Sequence, residues 1–507
     1  MMRNPQKRNN SVSLFFLFLL LPAFLPAEEP PWPDVLLEKV AEIDRKVYGA
    51  AERRLDLWSQ EAAPPEREGA LGPEDLFEQA RYNNQEISLL NIERNKMLIE
   101  ERGAKARRFP TVDFQTALTH IANPMDAINL TAGELGVYNL AGEEILIPPE
   151  DMTLYEGMEN SQYDFKIIIE QPVFTWGKIR GAVEAAGIAA EAGALQIENK
   201  QTELYWKIYG SMHALYFIGR IEEILTLQQE AVNRLIGIAE DSYENGFILL
   251  SDVLEARIRG KELDIALVRL KTEKDNLLID LSYTSGVEHL NLEDLDFSSL
   301  KEHPEEITLD NRETLIQASL KENPNIKLLE LMKRIQALRQ RITEGENYLK
   351  PDIGLHFELS YSGSRFPFLE KDWYGQNRWN LTSTIGISTT IFDGGQLMSS
   401  LLKEAQNTEA AMHQYEKGAQ AIARTVIETL LKLELSLQNL EYYRLKTEQG
   451  QSRLELKQTQ MESGSGSESD YLTQEIELYT DLIEYYRECI TFFSGLYTLK
   501  ALTGGET

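Results

Sequence analysis

The sequence of 507 residues is poor in the side chains that most catalytic and metal sites use. Its one cysteine, Cys489, cannot form an internal disulfide and cannot by itself build a zinc site. Its six histidines are scattered, with no pair at the spacing that places two ligands on one helix face. The chain also lacks a nucleophile elbow, an HExxH motif, a phosphate-binding loop and a dinucleotide fingerprint. We therefore predict no enzyme activity, no catalytic residue, no cofactor and no metal site.

Basic charge is scarce as well. Lysine and arginine number 51 against 81 aspartates and glutamates, which gives a formal net charge of −30. A nucleic-acid partner is not expected, because such proteins neutralise phosphates with clustered basic residues. We interpret the acidity as a well-solvated surface, with an acid-specific function as the alternative.

Long apolar runs are absent beyond the first 27 residues. Arg3, Lys7 and Arg8 precede an apolar run over 12–25, and Ala27 follows it, which is the pattern of a secretory signal peptide. An uncleaved anchor is the alternative, although the run is shorter than the roughly 20 residues that span a bilayer. No cysteine lies near the predicted cleavage site, so lipidation there is not expected. We predict an exported mature chain without a transmembrane helix.

The chain contains two copies of one pattern, placed far apart. Asn84, with the helical pattern that follows it, corresponds to Asn323 at an offset of 239 residues. Pro110, which precedes an alternating segment, corresponds to Pro351 at an offset of 241. Internal repeats of this kind indicate that one structural unit occurs twice.

The later motifs of the two copies fix the length of the unit. The offset falls to 218 for Phe174 with Phe392 and for Asp252 with Asp470, so 78 residues separate the two members within each copy. A rigid helix keeps such a distance, because one inserted residue rotates every later side chain by about 100°. The fall from 241 to 218 places 23 extra residues between Pro110 and Phe174, in a predicted outer loop over 120–162.

Four segments alternate apolar and polar side chains, at about 109–119, 163–174, 351–361 and 379–392. Such alternation is typical of strands in a transmembrane barrel, although a half-buried sheet of a soluble protein shows it too. Four strands cannot close a barrel, and an open edge cannot lie in lipid, so a membrane location requires several chains to share one barrel. Its lumen would be lined by the charged faces, which carry Asp164, Lys166, Glu170, His356 and Glu358.

Helical patterns without a proline follow these strands. They lead to Gly246 and Gly464, where the chain turns and a second helix returns, which predicts hairpins over 177–285 and 396–502. The first long helix begins with many alanines and glycines. These small residues indicate either a close approach of another helix or simply high helix propensity.

Taken together, these motifs resemble the TolC-like outer membrane efflux protein family, the outer membrane factors. The resemblance implies a mainly α protein with a small β part, in which long α-helical coiled-coil hairpins accompany four strands per chain. In a trimer, the strands would contribute to a shared 12-stranded transmembrane β-barrel. The motifs that carry the resemblance are Asn323-Pro324, Pro110, Pro351, Phe392-Asp393-Gly394-Gly395, and the pattern Gly-x5-Asp-x-Leu at 246–254 and 464–472.

The resemblance and the repeats together predict how the chain divides. The predicted parts are a signal peptide (1–27), an N-terminal periplasmic extension and linker (28–73), a first TolC-like repeat (74–290), an equatorial connector (291–312) and a second repeat (313–503). The mature protein is expected in the outer membrane of a diderm bacterium, with a large periplasmic part.

The family also implies roles for residues at the hairpin tips. Asp470 and Asp252 would narrow the periplasmic entrance as rings of carboxylates, although helix capping is a sufficient structural reason for both. Thr473 and Gly466 replace a second acid and a basic residue of some members, which puts a salt-bridged gate in question. The tip residues expected to contact an adaptor are Gly246, Ser251, Leu254, Gly464, Ser469 and Leu472.

The implied function is that of a passive duct. A homotrimer in outer-membrane lipid would join a periplasmic adaptor, or membrane fusion protein, and an inner-membrane pump of the RND or ABC type. The system would perform efflux or type I secretion. The alternative is a soluble periplasmic coiled-coil scaffold or adaptor, which would share the signal peptide and the hairpins but would not need four amphipathic strands.

Overall fold

The computed structural model describes residues 69–140, 142–301, 304, 311–347, 349–367 and 379–504. The predicted signal peptide and most of the predicted N-terminal extension lie outside the described residues. The helices are α1 (Pro73–Asn83), α2 (Gln85–Ala106), α3 (Lys178–Glu244), α4 (Leu250–Ser285), α5 (Arg312–Glu322), α6 (Pro324–Glu344), α7 (Gln396–Glu462) and α8 (Glu468–Thr503), with a 3-10 turn at Leu292–Asp294. The strands are β1 (Thr111–His120), β2 (Ile128–Leu130), β3 (Gly136–Leu140), β4 (Glu143–Ile147), β5 (Met152–Tyr155), β6 (Ser161–Phe174), β7 (Asp352–Gly363) and β8 (Trp379–Ser388).

The predicted hairpins are present in both copies. The long helices α3 and α7 each have 67 residues, and the returning helices α4 and α8 each have 36. At 1.5 Å per residue, each long helix extends about 100 Å. Gly246 and Gly464 lie in the turns with φ of +76° and +72°, a conformation that glycine adopts without steric cost. The spacing of 78 residues in the sequence therefore reflects two hairpins of equal length.

Four strands form one antiparallel sheet in the order β1-β6-β7-β8. In one cross-strand row, Phe114 lies opposite Ile167, Ile167 opposite Leu359, and Leu359 opposite Leu381. Residues that lie directly opposite share a face, so this row and its neighbours give the sheet one apolar face and one polar face. The alternation of apolar and polar residues predicted for each strand is therefore aligned across all four strands.

The chain departs from prediction at two places in the sheet. Strand β8 ends at Ser388 and not near 392, because Asp393 accepts the backbone N–H groups of Gly395 and Leu397 at 2.9 and 2.7 Å and turns the chain into α7. The predicted loop over 120–162 contains two further antiparallel pairs, β2 with β5 and β3 with β4. Their short strands lie among glycines and prolines, which masked the period of two in the sequence.

In each copy, a buried asparagine joins the helix that it begins to the end of the returning helix of the hairpin. Asn84 begins α2 by accepting two backbone N–H groups, and its side-chain nitrogen donates to the Thr284 carbonyl oxygen at 3.0 Å. In the second copy, Asn323 begins α6 and donates to the Leu502 carbonyl oxygen, also at 3.0 Å. The asparagines that open both repeats thus fix the end of each returning helix.

Gly286, just after α4, offers a test of this junction. Its φ is +71°, and an added Cβ would lie 2.4 Å from the Asn83 Cβ. We expect Gly286→Ala to destabilise the fold by about 2–5 kcal/mol, from the left-handed backbone and the overlap together. Gly177 (φ +82°) has no atom within 4 Å of such a Cβ. Gly177→Ala is thus the control that carries only the backbone cost, and thermal unfolding followed by circular dichroism should separate the two variants. Equal losses would show that the contact with Asn83 is unimportant.

Helix packing follows one order along the hairpins. In the part near the sheet, α3 packs against α2 and α6, and α7 packs against α6. In the part near the tips, α3 packs against α4 and α8, and α8 packs against α7. The rows are therefore α2-α3-α6-α7 and α4-α3-α8-α7. The first copy lies at one edge of the chain and the second copy at the other, as in the sheet.

The small residues at the start of α3 lie against neighbouring helices. A Cβ on Gly193 would come within 2.9 Å of the Met97 sulfur on α2, and one on Gly181 within 2.9 Å of Ile342 on α6. Of the two interpretations left open by the sequence, close helix approach is the one these contacts support. No described helix is both long and apolar enough to cross a membrane.

Candidate functional site: the sheet faces and the hairpin tips

The polar face of the sheet brings together four of the five residues predicted for the lumen. The His356 Nδ1 atom lies 3.5 Å from a Glu170 carboxylate oxygen, and its Nε2 atom lies 3.8 Å from Glu358. The Lys166 ammonium lies 3.7 Å from the other Glu358 oxygen. Asp164 shares this face and lies opposite Ser362. The face is an acidic, hydrated surface in which one lysine and one histidine sit among carboxylates.

The apolar face has no helix packed over it within the described residues. Ile385, near its centre, keeps 74% of its surface exposed, and Phe114 and Leu381 are also exposed. A half-buried sheet of a soluble protein would cover such residues with a second layer. An apolar face of this kind is what a strand presents to lipid.

Aromatic side chains lie at both ends of this face, a feature that the sequence reasoning did not identify. At the end away from the helices, Phe165 and Trp379 each lie beside Tyr361, with ring centroids 6.5 and 5.1 Å from it, and Tyr361 itself is buried between its neighbours. At the helix end, the rings of Phe174 and Trp176 lie 5.0 Å apart. Such aromatic girdles flank the apolar band of outer-membrane strands. In the sequence, the signal for these girdles was the position of aromatic residues at the ends of the predicted strands.

Asp470 lies at the second tip with its side chain 58% exposed. Its carboxylate is 4.0 Å from the Lys457 ammonium, and its backbone N–H donates to the Ser467 hydroxyl that caps α8. Because Ser467 supplies the cap, the Asp470 carboxylate does not take part in it and lies on the surface beside Lys457.

Asp252 differs from Asp470 in this respect. Its carboxylate accepts the backbone N–H of Leu249 at 3.0 Å and the Ser251 hydroxyl at 3.3 Å, at the start of α4. These contacts fit the structural role of an aspartate in the first turn of a helix. Of the two predicted constriction residues, only Asp470 therefore keeps its carboxylate outside the helix cap.

The predicted contact residues at the tips are not equally accessible. Leu254 is exposed, whereas its counterpart Leu472 is fully buried at 0% exposure. The reason is that α8 lies between α3 and α7, while α4 is an edge helix. Leu472 therefore belongs to the interior of its hairpin and is not available as a contact residue. The other predicted contact residues, Gly246, Ser251, Gly464 and Ser469, lie in or beside the two turns.

Two residues that the prediction missed dominate the surface of the first tip. Phe247 is 81% exposed and Leu249 is 71% exposed. The second tip presents serines and glycines at the same positions, 463–467. Their signal in the sequence was simply apolar residues in a turn, where polar residues are usual. The two tips therefore offer chemically different surfaces.

Polar contacts hold the two hairpins together near the tips. The Gln228 side chain on α3 donates to the Ile476 carbonyl oxygen at 3.1 Å and to the Thr480 hydroxyl at 2.9 Å on α8. Arg234 on α3 pairs with Glu468 at the start of α8. These contacts all lie within one chain and stabilise its tip. They therefore do not form a salt-bridged gate between chains, the feature that is in question because Thr473 and Gly466 replace an acid and a base of some family members.

An ion pair joins the two helices of the second hairpin. Lys446 lies 2.6 Å from Asp481, whose side chain is mostly buried, and this hydrogen bond raises the pKa of the lysine.

His213, in the core between the copies, has a hydrogen-bond partner at each ring nitrogen. Its Nδ1 lies 3.0 Å from the Tyr497 hydroxyl, its Nε2 lies 3.2 Å from the Lys301 carbonyl oxygen, and burial lowers its pKa. Lys446, Asp481 and His213 are therefore all engaged in contacts within the protein.

Comparison with known proteins identifies the family. The model of the "Outer membrane efflux protein" family matches residues 76–287 and 315–487, which is more than half of the chain. "Outer membrane protein TolC" of Salmonella enteritidis is 22% identical over 336 residues, covering 64% of this chain. The match spans 65% of the length of that relative.

Solved structures share the fold. A membrane protein from Pseudomonas aeruginosa superimposes with a TM-score of 0.67 at 15% identity, over 85% of this chain and 90% of that one. The Campylobacter jejuni CmeC outer membrane channel gives a TM-score of 0.66 at 13% identity, over 88% and 91%. The chain therefore belongs to the outer membrane efflux protein family, the TolC-like channels of the outer membrane that have a large helical periplasmic part.

Proposed function

We propose that three copies of this chain form a passive efflux duct across the outer membrane, as the channel of a tripartite efflux or type I secretion system. The observation that carries the proposal is that, within the described residues, the sheet and the helices have uncovered edges on the same two sides of the chain. One edge consists of β1, α2 and α4, and the other consists of β8 and α7. Two different edges that complement each other generate a ring when the rotation closes.

Both edges carry exposed apolar side chains. Along α4 these include Ile258, Ile265 and Val268, and along α7 they include Leu435 and Leu445. Such stripes at helical spacing are usual where a second helix packs. Three copies would bring four strands each into a 12-stranded barrel, wide enough to hold an aqueous lumen. The number of three chains follows from the family. The two uncovered edges give a physical reason for the chains to associate side by side.

In this assembly the polar sheet face lines the lumen, and the apolar face with its aromatic girdles meets lipid. The tips would dock to a periplasmic adaptor and, through it, to an inner-membrane pump of the RND or ABC type. No step needs chemistry in this chain, because the pump supplies the energy. The soluble scaffold, the alternative from the sequence, does not explain an uncovered apolar sheet face.

Cell fractionation separates these two functions. We expect the mature chain to stay with outer membranes after osmotic release of the periplasm and to need detergent for extraction. Recovery of the whole population in the soluble periplasmic fraction would contradict the channel.

Asp470→Ala tests the proposed constriction. A three-fold ring of carboxylates favours cations, so its removal should reduce cation selectivity and raise conductance at the periplasmic mouth. Asp252→Ala is the control, because it mainly loses a helix cap worth about 1 kcal/mol. Single-channel recording in a planar bilayer measures both properties. Unchanged conductance and selectivity in Asp470→Ala would remove this residue from the constriction.

Replacing both Phe247 and Leu249 with serine tests the proposed docking tip. These exposed side chains have the properties of interface anchors, each worth about 2 kcal/mol when buried by a partner. We expect cells with this variant to lose efflux while the purified channel conducts normally in a bilayer. Ser463→Ala with Ser465→Ala, at the second tip, is the control and should change neither. Normal efflux with both anchors removed would move the contact elsewhere.

A further inference from the structure

The first copy carries a β arm, residues 121–160, that has no counterpart among the described residues of the second copy. Its base is closed by a hydrogen bond from the Ile121 N–H to the Asn160 carbonyl oxygen at 2.8 Å. Beyond this point β2 pairs with β5, and β3 pairs with β4. The arm therefore prolongs the β1–β6 hairpin at the sheet end away from the helices. It accounts for the 23 residues by which the first copy is longer between the two motifs.

The outer part of the arm has an uncovered apolar face. Tyr138 lies opposite Ile145 across β3 and β4, and Ile147 lies next to them on the same face, opposite Gly136. All three side chains are exposed. On the other face, Leu146 lies close to the 131–134 turn, where a Cβ on Gly133 would come within 2.9 Å of it. Val137 and Leu146 on that face still keep part of their surface exposed, so the Tyr138 face is the more open of the two.

Negative charge surrounds this face. Residues 121–160 contain eight carboxylates and no lysine, arginine or histidine. Glu134 and Asp151 are used internally, since Glu134 accepts from Thr131 and Asp151 accepts the backbone N–H of Ala132 at 2.7 Å. Glu143 and Glu144 begin β4, with Glu143 on the Tyr138 face and Glu144 on the other, and neither has an ion-pair partner among the residues that the structure describes.

The backbone of the arm is open as well. Strands β3 and β4 form a two-stranded sheet, so the outer edge of each strand has no ladder partner in the described chain. An extended peptide can add to such an edge through backbone hydrogen bonds, while alternate side chains choose the face. An added strand would place one set of its side chains beside Tyr138 and Ile145.

We propose that the arm binds an extended segment of another protein in which apolar residues alternate with lysine or arginine. The apolar residues would cover the Tyr138 face, and the basic residues, on the other face of the added strand, would meet Glu144, while a basic residue at the end of the apolar row could reach Glu143. A second copy of the arm is disfavoured because it carries the same eight carboxylates. An anionic lipid headgroup is disfavoured for the same electrostatic reason. In the proposed channel, this surface lies at the mouth opposite the helical tips.

The test uses the full-length protein in detergent and a fluorescent peptide of alternating valine and lysine. Saturable binding in fluorescence anisotropy is expected, weakening about tenfold from roughly 0.05 to 0.5 M salt as the charges are screened. Glu143→Gln with Glu144→Gln should weaken binding about fivefold. Ile145→Ser should do the same through loss of apolar contact. Glu262→Gln with Glu273→Gln, which removes two charges from α4, is the control and should bind as the unmodified protein does.

Three outcomes would overturn the proposal. These are no binding, equal binding of a serine–lysine peptide, which would mean charge alone, and equal loss of binding in the α4 control. Conductance is recorded for every variant in a planar bilayer and is expected to stay unchanged. A conducting channel that does not bind the peptide removes the arm site alone, whereas a protein that never conducts removes the proposed duct.

Discussion

Arginine in place of Ile385 is expected to abolish assembly of the protein in the outer membrane. Ile385 lies on the apolar sheet face, opposite Leu355 and between the two aromatic girdles. An arginine on the lipid face near the midplane costs about 2–4 kcal/mol, or about 6–12 kcal/mol for three copies in one barrel. Heat-modifiable trimers in outer-membrane fractions, detected by immunoblot, give the readout.

The adjacent residue supplies the control for this experiment. Thr384 is on the polar face, directly opposite His356, with Glu170 and Glu358 near that histidine. Thr384→Arg would place the same side chain on the polar face beside carboxylates, in the proposed lumen, so normal assembly is expected. Charged substitution at Leu355 or Ile167, on the apolar face, should behave like Ile385→Arg. Equal yields for the variants at 384 and 385 would contradict the assignment of the faces.

The second large effect is expected at the edge of the helical row. Ile265 and Val268 are exposed on α4, on the same face as Lys261, Asp264 and Arg269. If α7 of the neighbouring copy packs against this face, burial of each apolar side chain contributes about 1.5–3 kcal/mol. Two side chains at three interfaces then amount to about 9–18 kcal/mol as an upper estimate. Ile265→Asp with Val268→Asp should therefore leave the chain unable to form trimers.

Mass photometry of detergent-extracted protein measures this loss directly. The double variant should give particles of one chain, whereas Glu262→Ala with Glu273→Ala, on the same helix, should give particles of three. Folding of the monomer is checked by its helical circular dichroism, because the core of α4 at Leu270 and Leu281 is untouched. Stable trimers of the double variant would show that α4 is not a subunit edge.

The lengths of the hairpins could be predicted because helices transmit spacing rigidly. The constant 78 residues from Phe174 to Asp252, and again from Phe392 to Asp470, require two helical paths of equal length. The faces of the strands were also predictable, because a period of two fixes which residues share a face, and a slip of one residue would separate Ile167 from Leu359. These features are local or strictly periodic.

The rest depended on packing that one sequence does not reveal. Leu254 and Leu472 occupy equivalent positions, yet one is exposed and the other buried, because only α8 has neighbours on both sides. Asp252 and Asp470 are equivalent too, yet Ser467 takes the capping role in one hairpin and leaves the Asp470 carboxylate outside the cap, beside Lys457. The hairpins of the arm were hidden because their strands are only three to five residues long.

The most direct test of the central claim is the conductance of the purified full-length protein in a planar lipid bilayer without nucleotide. The account predicts stable, cation-selective conductance steps from particles that contain three chains. Protein that remains monomeric and leaves the bilayer resistance unchanged, although correctly folded and presented with outer-membrane lipid, would contradict it.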